Sequence, residues 1–141
     1  MGNNHRMKYT PDRIDSLESN QVYVFTSNLI GYHSGETSLI ALHRFGAIWG
    51  QAEGPQGQCY AIPVDIRGEA IDNVSNYLKR HIRKFLEYAK EHQEKEFLVT
   101  KIGCGIAGFD EDFIASFFSE ALQIRNICLP KSFCTYLTEK L

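Results

Sequence analysis

The chain has 141 residues, of which 43% are hydrophobic and 23% are charged, and its formal net charge is −2. These values are typical of one globular domain, and the lack of a basic excess argues against a nucleic-acid-binding face. No apolar run approaches the ~20 residues that a membrane-spanning helix needs, so no membrane partner is expected.

The first part of the chain predicts one strand and one helix around a turn-rich loop. Residues 1–7 are polar and predict a flexible lead, and residues 8–20 predict an edge segment with a short helical turn. The apolar run 22–25 predicts a strand that is buried on both faces. Turn-forming residues fill positions 27–35, and residues 36–45 then carry apolar side chains near helical spacing.

The rest of the chain alternates strands and helices. The loop-rich stretch 51–58 precedes a short strand that Pro63 is expected to end. Apolar positions then recur every three or four residues over 69–92 and 110–122, which predicts two helices. The remaining elements are predicted as strands at 97–102 and 126–129 and a short terminal helix at 131–141.

This order of elements predicts an α/β fold. Strands that alternate with helices favour a three-layer α/β/α sandwich with a largely parallel or mixed sheet, formed by residues 1–141 as a single domain. In such sheets ligands bind beyond the carboxyl ends of the strands. The loops 27–35 and 103–109 both follow a strand, so we expect them to lie at the same edge of the sheet.

The four cysteines, Cys59, Cys104, Cys128 and Cys134, show no C-x-x-C pairing and no matching histidine spacing. This pattern argues against a structural zinc site, and no metal or cofactor is expected. The polar amino terminus has no signal-peptide core. Reduced thiols in a cytoplasmic protein are therefore expected.

Residues 97–109 (FLVTKIGCGIAGF) are the most informative stretch. An apolar run stops at three closely spaced glycines, and an acidic amphipathic segment begins directly after them. Glycines allow backbone N–H groups to approach a ligand closely, and the following helix adds its unpaired N–H groups, so the junction suits a phosphate or diphosphate. A tight strand-to-helix turn without a ligand explains the same residues. Cys104, between two of the glycines, is either an activated thiol or a small residue packed under the loop.

Two segments resemble the macro domain superfamily, whose members bind ADP-ribose: residues 24–28 (VFTSN), followed by a glycine-containing loop, and residues 100–109 (TKIGCGIAGF). The second segment is similar to the glycine loop of glycohydrolase-type macro domains. A closer resemblance, over residues 8–130, is to a largely uncharacterised group of macro-like proteins of bacteria and phages. It is carried by the motifs SNL at 27–29, RFGA at 44–47, GQ at 50–51, QGQ at 56–58 and YAIP at 60–63.

The resemblance implies binding of ADP-ribose or a related nucleotide through the two loops. It places Asn28 and Phe109 near the distal ribose, the 31–35 loop beside the diphosphate, and the glycine loop around the phosphates. The implied ligand-binding residues are Ser27, Asn28, Gly31, Ser34, Gly35, Gly103, Cys104, Gly105, Ile106, Ala107, Gly108 and Phe109. An ADP-ribosylated macromolecule is a further implied partner, and nothing in the sequence predicts an oligomeric state.

The chain departs from the macro pattern in two places, one that affects the expected catalytic acid and one that affects the size of the expected pocket. Ala107 stands where the glycohydrolase loop has an acid, and the bulky residues Tyr32, Glu36 and Thr37 narrow the expected pocket. Glu36 and His33 are the candidate catalytic groups, because cleavage of a glycosidic bond needs a positioned acid or base. Binding is therefore expected ahead of hydrolysis. The alternatives are an ADP-ribosyl glycohydrolase and an interaction protein with a degenerate pocket.

Each candidate side chain also has a structural alternative. If Glu36 is not catalytic, it is an acidic residue that stabilises the first turn of a helix. If His33 is not catalytic, it is a loop residue that makes a single hydrogen bond. Asn28 forms a strand-end turn. Trp49 and Tyr60 either stack on an adenine or belong to the core.

Overall fold

The computed structural model describes residues 8–33 and 35–139. Over this part of the chain the protein is an α/β fold with a five-stranded mixed sheet and four helices. The predicted lead at 1–7 and the candidate Ser34 lie outside the described residues. The strands are β1 (Gln21–Asn28), β2 (Gly54–Gln56), β3 (Cys59–Asp65), β4 (Glu96–Val99) and β5 (Ile127–Cys128). The helices are α1 (Glu36–Arg44), α2 (Val74–Glu91), α3 (Glu111–Ala115) and α4 (Lys131–Glu139), and a 3₁₀ helix (Ser116–Gln123) follows α3.

The sheet places three strand ends at one edge. Its order is β2-β3-β1-β4-β5, and β1 pairs in parallel with β3 and β4. β4 pairs in parallel with β5, whereas β2 runs antiparallel to β3. Because β1, β3 and β4 run in the same direction, their carboxyl ends at Asn28, Asp65 and Val99 share one edge of the sheet. The loops after β1 and β4 therefore begin side by side.

β1 lies at the centre of the sheet and is buried on both faces, as predicted. Val22 and Val24 pack in the larger core together with the apolar side of α2. Tyr23 and Phe25 belong to a smaller core on the other side, which includes Ala41 of α1. Successive side chains of a strand point to opposite faces, so a strand covered on both faces needs a continuous apolar run.

The prediction that Pro63 ends the strand beginning near residue 59 is wrong, because this strand, β3, continues to Asp65. β2 pairs with β3 up to Ala61, so Pro63 lies beyond that pairing, and its missing N–H costs no bond between these two strands. On the other side, the register between β1 and β3 is irregular between Thr26 and Asn28. Prolines within sheets are tolerated at such irregularities.

Two segments predicted as non-strand contribute to the sheet. Residues 8–20 contain no helix, although residues 19–20 form a hydrogen-bonded turn. Tyr9 pairs in parallel with Leu129, which extends the sheet beyond β5. The stretch 51–58, predicted as a loop, contains β2.

Several helix and strand boundaries also differ from prediction. α2 begins at Val74 rather than at residue 69, because the side chain of Asn73 caps it by accepting the N–H of Asn76 at 3.0 Å. The helix predicted at 110–122 divides into α3 and the 3₁₀ helix, and Phe113 of α3 is exposed. The predicted terminal helix is present as α4. Within the described residues, none of the helices is both long enough and apolar enough to span a membrane.

Candidate functional site

A cleft of about 220 Å³ opens at the carboxyl edge of the sheet. Both predicted loops border it, and so does the first turn of α1. Its walls are formed by Thr26, Ser27, Asn28, Tyr32, Gly35, Glu36, Thr37, Ser38, Asp65, Lys101, Cys104, Gly105, Ile106 and Glu111. The two loops that the sequence places at one edge of the sheet therefore meet at one cavity.

The glycine loop leaves backbone N–H groups without partners at the cleft. The N–H of Gly103 donates to the Thr26 hydroxyl at 2.9 Å, and the N–H of Gly108 donates to the Gly105 carbonyl at 2.9 Å. Among the described residues, no acceptor is present for the N–H groups of Gly105 and Ile106. Both residues line the cleft, so their N–H groups are available to an anion there.

The first turn of α1 forms another wall of the cleft. Gly35 is the N-cap and supplies no side-chain cap, so the first N–H groups of the helix gain no partner from it. The Thr37 hydroxyl accepts the N–H of Thr26 at 3.5 Å, and the Ser38 hydroxyl donates to the Thr26 carbonyl. These contacts hold the positive end of the helix dipole beside the cleft.

Three carboxylates and one lysine line the cleft. Arg67 donates to both carboxylate oxygens of Asp65 at 2.9 Å, and these hydrogen bonds hold the pKa of Asp65 below its usual value. The Nζ atom of Lys101 lies 3.4 Å from Oε2 of Glu111. Glu36 has no ion-pair partner among the described residues. An anion in the cleft therefore meets one uncompensated carboxylate, beside the positive end of α1.

Asn28, which the resemblance places near a ribose, closes the first loop. Its Oδ1 atom accepts the Tyr32 N–H at 2.9 Å, and its Nδ2 atom donates to the Tyr32 carbonyl at 2.9 Å. Both polar groups of the side chain are thus used within the loop, as expected of an asparagine that forms a strand-end turn. Ser27 and Gly35, also predicted to bind ligand, line the cleft.

His33 and Gly31 do not line the cleft. His33 is fully buried, its Nε2 atom donates to the Ile48 carbonyl at 2.7 Å, and its ring packs edge-on against Phe25. Gly31 has a φ of +74°, and a Cβ there would lie 2.5 Å from the carbonyl carbon of Gly50. Both residues join the first loop to the segment around residues 48–50. The position of His33 gives no support to its prediction as a catalytic group.

The other glycine-loop candidates divide between the cleft and the core. Cys104 lines the cleft, but burial raises the pKa of its thiol to about 12, so it stays protonated at neutral pH. Gly103 is buried, and Phe109 packs against the larger core. Ala107 and Gly108 do not line the cleft.

The sequence analysis gave no site role to five residues of the cleft: Thr26, Ser38, Asp65, Lys101 and Glu111. The signal for Asp65 was present, because it ends a strand parallel to β1 and so lies at the same edge of the sheet. Thr26 and Lys101 are each within two residues of a predicted site residue. Glu111 comes from the first turn of α3, the helix predicted to follow the glycine loop.

Tyr32 and Trp49 form an exposed stacked pair at the rim of the cleft. Their ring centroids are 4.9 Å apart, and their planes differ by 16°. The exposed fractions are 51% for Tyr32 and 56% for Trp49. Tyr60, the other ring considered for stacking on an adenine, is buried in the core.

Comparison of the chain with protein-family models, with curated proteins and with solved structures finds no match in any of the three. The resemblance to the macro domain superfamily therefore stays a prediction, which rests on the motifs of the two loops.

Proposed function

We propose that this protein binds ADP-ribose or a related nucleotide diphosphate, with the phosphates in the cleft between the two loops. The observation that carries this proposal is that two sets of backbone N–H groups border one cavity. One set belongs to the glycine loop at Gly105 and Ile106, and the other belongs to the first turn of α1. Several N–H groups that converge in this way suit the oxygens of a diphosphate.

The proposal includes a macro-like three-layer α/β/α arrangement. It is supported by the strand order of the sheet and by the two separate cores that contain alternate residues of β1. It also accounts for the position of the cleft, because ligands of such folds bind beyond the carboxyl ends of parallel strands.

The size of the cleft limits which part of the ligand it holds. Pockets that enclose a drug-sized ligand measure roughly 300–1,000 Å³. At about 220 Å³, this cleft is smaller than that range. The phosphates and a neighbouring sugar therefore occupy the cleft, and the rest of the nucleotide lies on the surface beside it.

Calorimetric titration with ADP-ribose tests the proposal, with substitutions at Gly105. A Cβ at this position meets no atom within 4 Å, so Gly105→Ala and Gly105→Asp are both compatible with the fold. The aspartate adds a negative charge to the cleft wall, and we expect binding to weaken about tenfold or more. Gly105→Ala serves as the matched control and should change Kd by less than about threefold.

Two results would overturn the proposal. The first is the absence of binding by the unsubstituted protein at millimolar ADP-ribose. The second is equal binding by the unsubstituted protein and by Gly105→Asp, since this result would place the ligand elsewhere. Thermal unfolding of each variant, measured without ligand, checks that the fold is retained.

Hydrolysis of an ADP-ribosyl bond is a second candidate function, and the position of Glu36 favours it. The carboxylate lines the cleft, is exposed and has no ion-pair partner among the described residues, so it is free to act as an acid or base. Because Ala107 stands where the glycohydrolase loop has an acid, this activity depends on Glu36. The test is release of ADP-ribose from an ADP-ribosylated protein or DNA, with loss of release expected in Glu36→Gln. Absence of release by the unsubstituted protein rejects this candidate.

A further inference from the structure

We propose that the stacked pair of Tyr32 and Trp49 is the surface on which the nucleobase of the bound nucleotide stacks. This inference rests on the proposed function, since it places the base of a ligand whose phosphates occupy the cleft. It assigns the exposed rings a role that the fold itself does not require. Both rings are more than half exposed, which leaves aromatic surface accessible to a ligand.

The backbone that carries the two rings is tightly held. The side chain of Asn28 forms two hydrogen bonds with the backbone of Tyr32, and the N–H of Gly50 donates to the Gly31 carbonyl at 2.9 Å. The close approach of Gly31 to Gly50 leaves no room for a Cβ. The rings are therefore presented on a preorganised support, and binding loses little conformational entropy in the loop.

The ring pair is continuous with the cleft. Tyr32 belongs to both, because it lines the cleft and stacks on Trp49. On the glycine loop, Ile106 also lines the cleft and is 54% exposed, so it adds apolar surface near the phosphate donors. A base linked to phosphates in the cleft thus reaches aromatic surface directly at the rim.

A second exit from the cleft is less suited to a base. A groove of about 640 Å³ shares Glu36 and Lys101 with the cleft and extends toward Arg13 and Arg44. Its lining is rich in charged side chains, and the Tyr23 ring on its wall is buried. Stacking needs an accessible aromatic face, which the pair at the rim offers and this wall does not.

Trp49 is the single tryptophan of the chain, so its fluorescence reports on the pair without labelling. We expect ADP-ribose to quench its emission saturably and ribose 5-phosphate, which has no base, to leave the emission nearly unchanged. By calorimetry, Trp49→Ala should weaken binding of ADP-ribose about tenfold, which lies within the range expected for the loss of one base-stacking contact. The same substitution should leave binding of ribose 5-phosphate unchanged. Trp49→Phe should restore part of the loss.

Tyr9→Ala is the matched control, because Tyr9 is also exposed and lines neither the cleft nor the groove. It should bind both compounds as the unsubstituted protein does. If ADP-ribose binds the unsubstituted protein and Trp49→Ala equally, the stacking proposal is overturned while the proposed function stands. A change of oligomeric state in Trp49→Ala, measured by size-exclusion chromatography, would also overturn it, since the pair would then be an interface between copies. If ADP-ribose does not bind the unsubstituted protein at all, the proposed function is rejected, and with it the stacking proposal that rests on it.

Discussion

Replacement of Glu36 by glutamine tests the electrostatics of the cleft and separates the candidate functions. The substitution keeps the size of the side chain and removes the one carboxylate of the cleft that has no ion-pair partner among the described residues. A sphere of about 220 Å³ has a radius of about 3.7 Å, and the centres of the wall atoms lie roughly 2–3 Å beyond it, so a phosphate at the centre lies about 6 Å from a carboxylate on the wall. In water, two ligand charges at that distance are repelled by about 1.4 kcal/mol, and physiological salt roughly halves this energy.

We therefore expect Glu36→Gln to bind ADP-ribose about three- to tenfold more tightly, with the gain shrinking as salt rises. Calorimetry at low and high salt measures both the change in Kd and its dependence on salt. Glu91→Gln is the control, because it removes the same charge from the last residue of α2 and should leave Kd unchanged. Weaker binding by Glu36→Gln would refute the reasoning, since the carboxylate would then make a favourable contact with the ligand. Loss of ADP-ribose release without loss of binding would instead support the hydrolase.

Three further predictions concern stability. Gly31→Ala should lower the free energy of unfolding by about 2 kcal/mol or more, because it combines a positive φ with a clash, whereas Gly105→Ala should be nearly neutral in urea unfolding. Asn28→Ala should cost about 1–3 kcal/mol in the same assay, because two hydrogen bonds that close the loop are lost; a neutral result would show that the loop holds without them. Burial raises the pKa of the Cys59 and Cys104 thiols to about 12, above the value of about 8.5 in an unfolded chain. Above about pH 8.5 the thiols ionise in the unfolded chain but stay protonated in the folded protein, which favours unfolding. The urea midpoint should therefore be lower at about pH 10.5 than at about pH 8. Equal urea midpoints at the two pH values would contradict this prediction.

The local sequence pattern predicted some strands correctly and missed others. The continuous apolar run at 22–25 predicted β1, because a run this short and made only of β-branched and aromatic residues fits a strand covered on both faces. β2 was missed, since two of its three residues are glycine and proline, which are depleted in strands. The side chain of Gln56 holds it, accepting the Ile48 N–H at 2.7 Å and donating to the Gln51 carbonyl at 3.1 Å. These bonds join separate turns, so no local periodicity signals them.

The candidate site could be predicted at the level of loops more readily than at the level of atoms. Parallel strands bring their carboxyl ends together, and this rule alone predicts that the two loops meet. Which N–H groups stay free depends on how each loop closes. The N–H of Gly103, expected to cradle a phosphate, is used by Thr26, and the imidazole of His33 is turned into the core. Neither outcome is visible in the residue types.

Thr26 assembles the candidate site, and its place in an apolar strand conceals this. Its N–H, carbonyl and hydroxyl contact three partners, the hydroxyls of Thr37 and Ser38 and the N–H of Gly103. One residue of β1 thereby fixes both the first turn of α1 and the start of the glycine loop. In a strand, threonine is ordinarily interpreted as a β-branched residue that packs on the sheet surface. Here its backbone groups contact α1 and its hydroxyl accepts the Gly103 N–H. A valine at this position would therefore keep the strand and both backbone contacts to α1, but it would lose the one bond that fixes the start of the glycine loop.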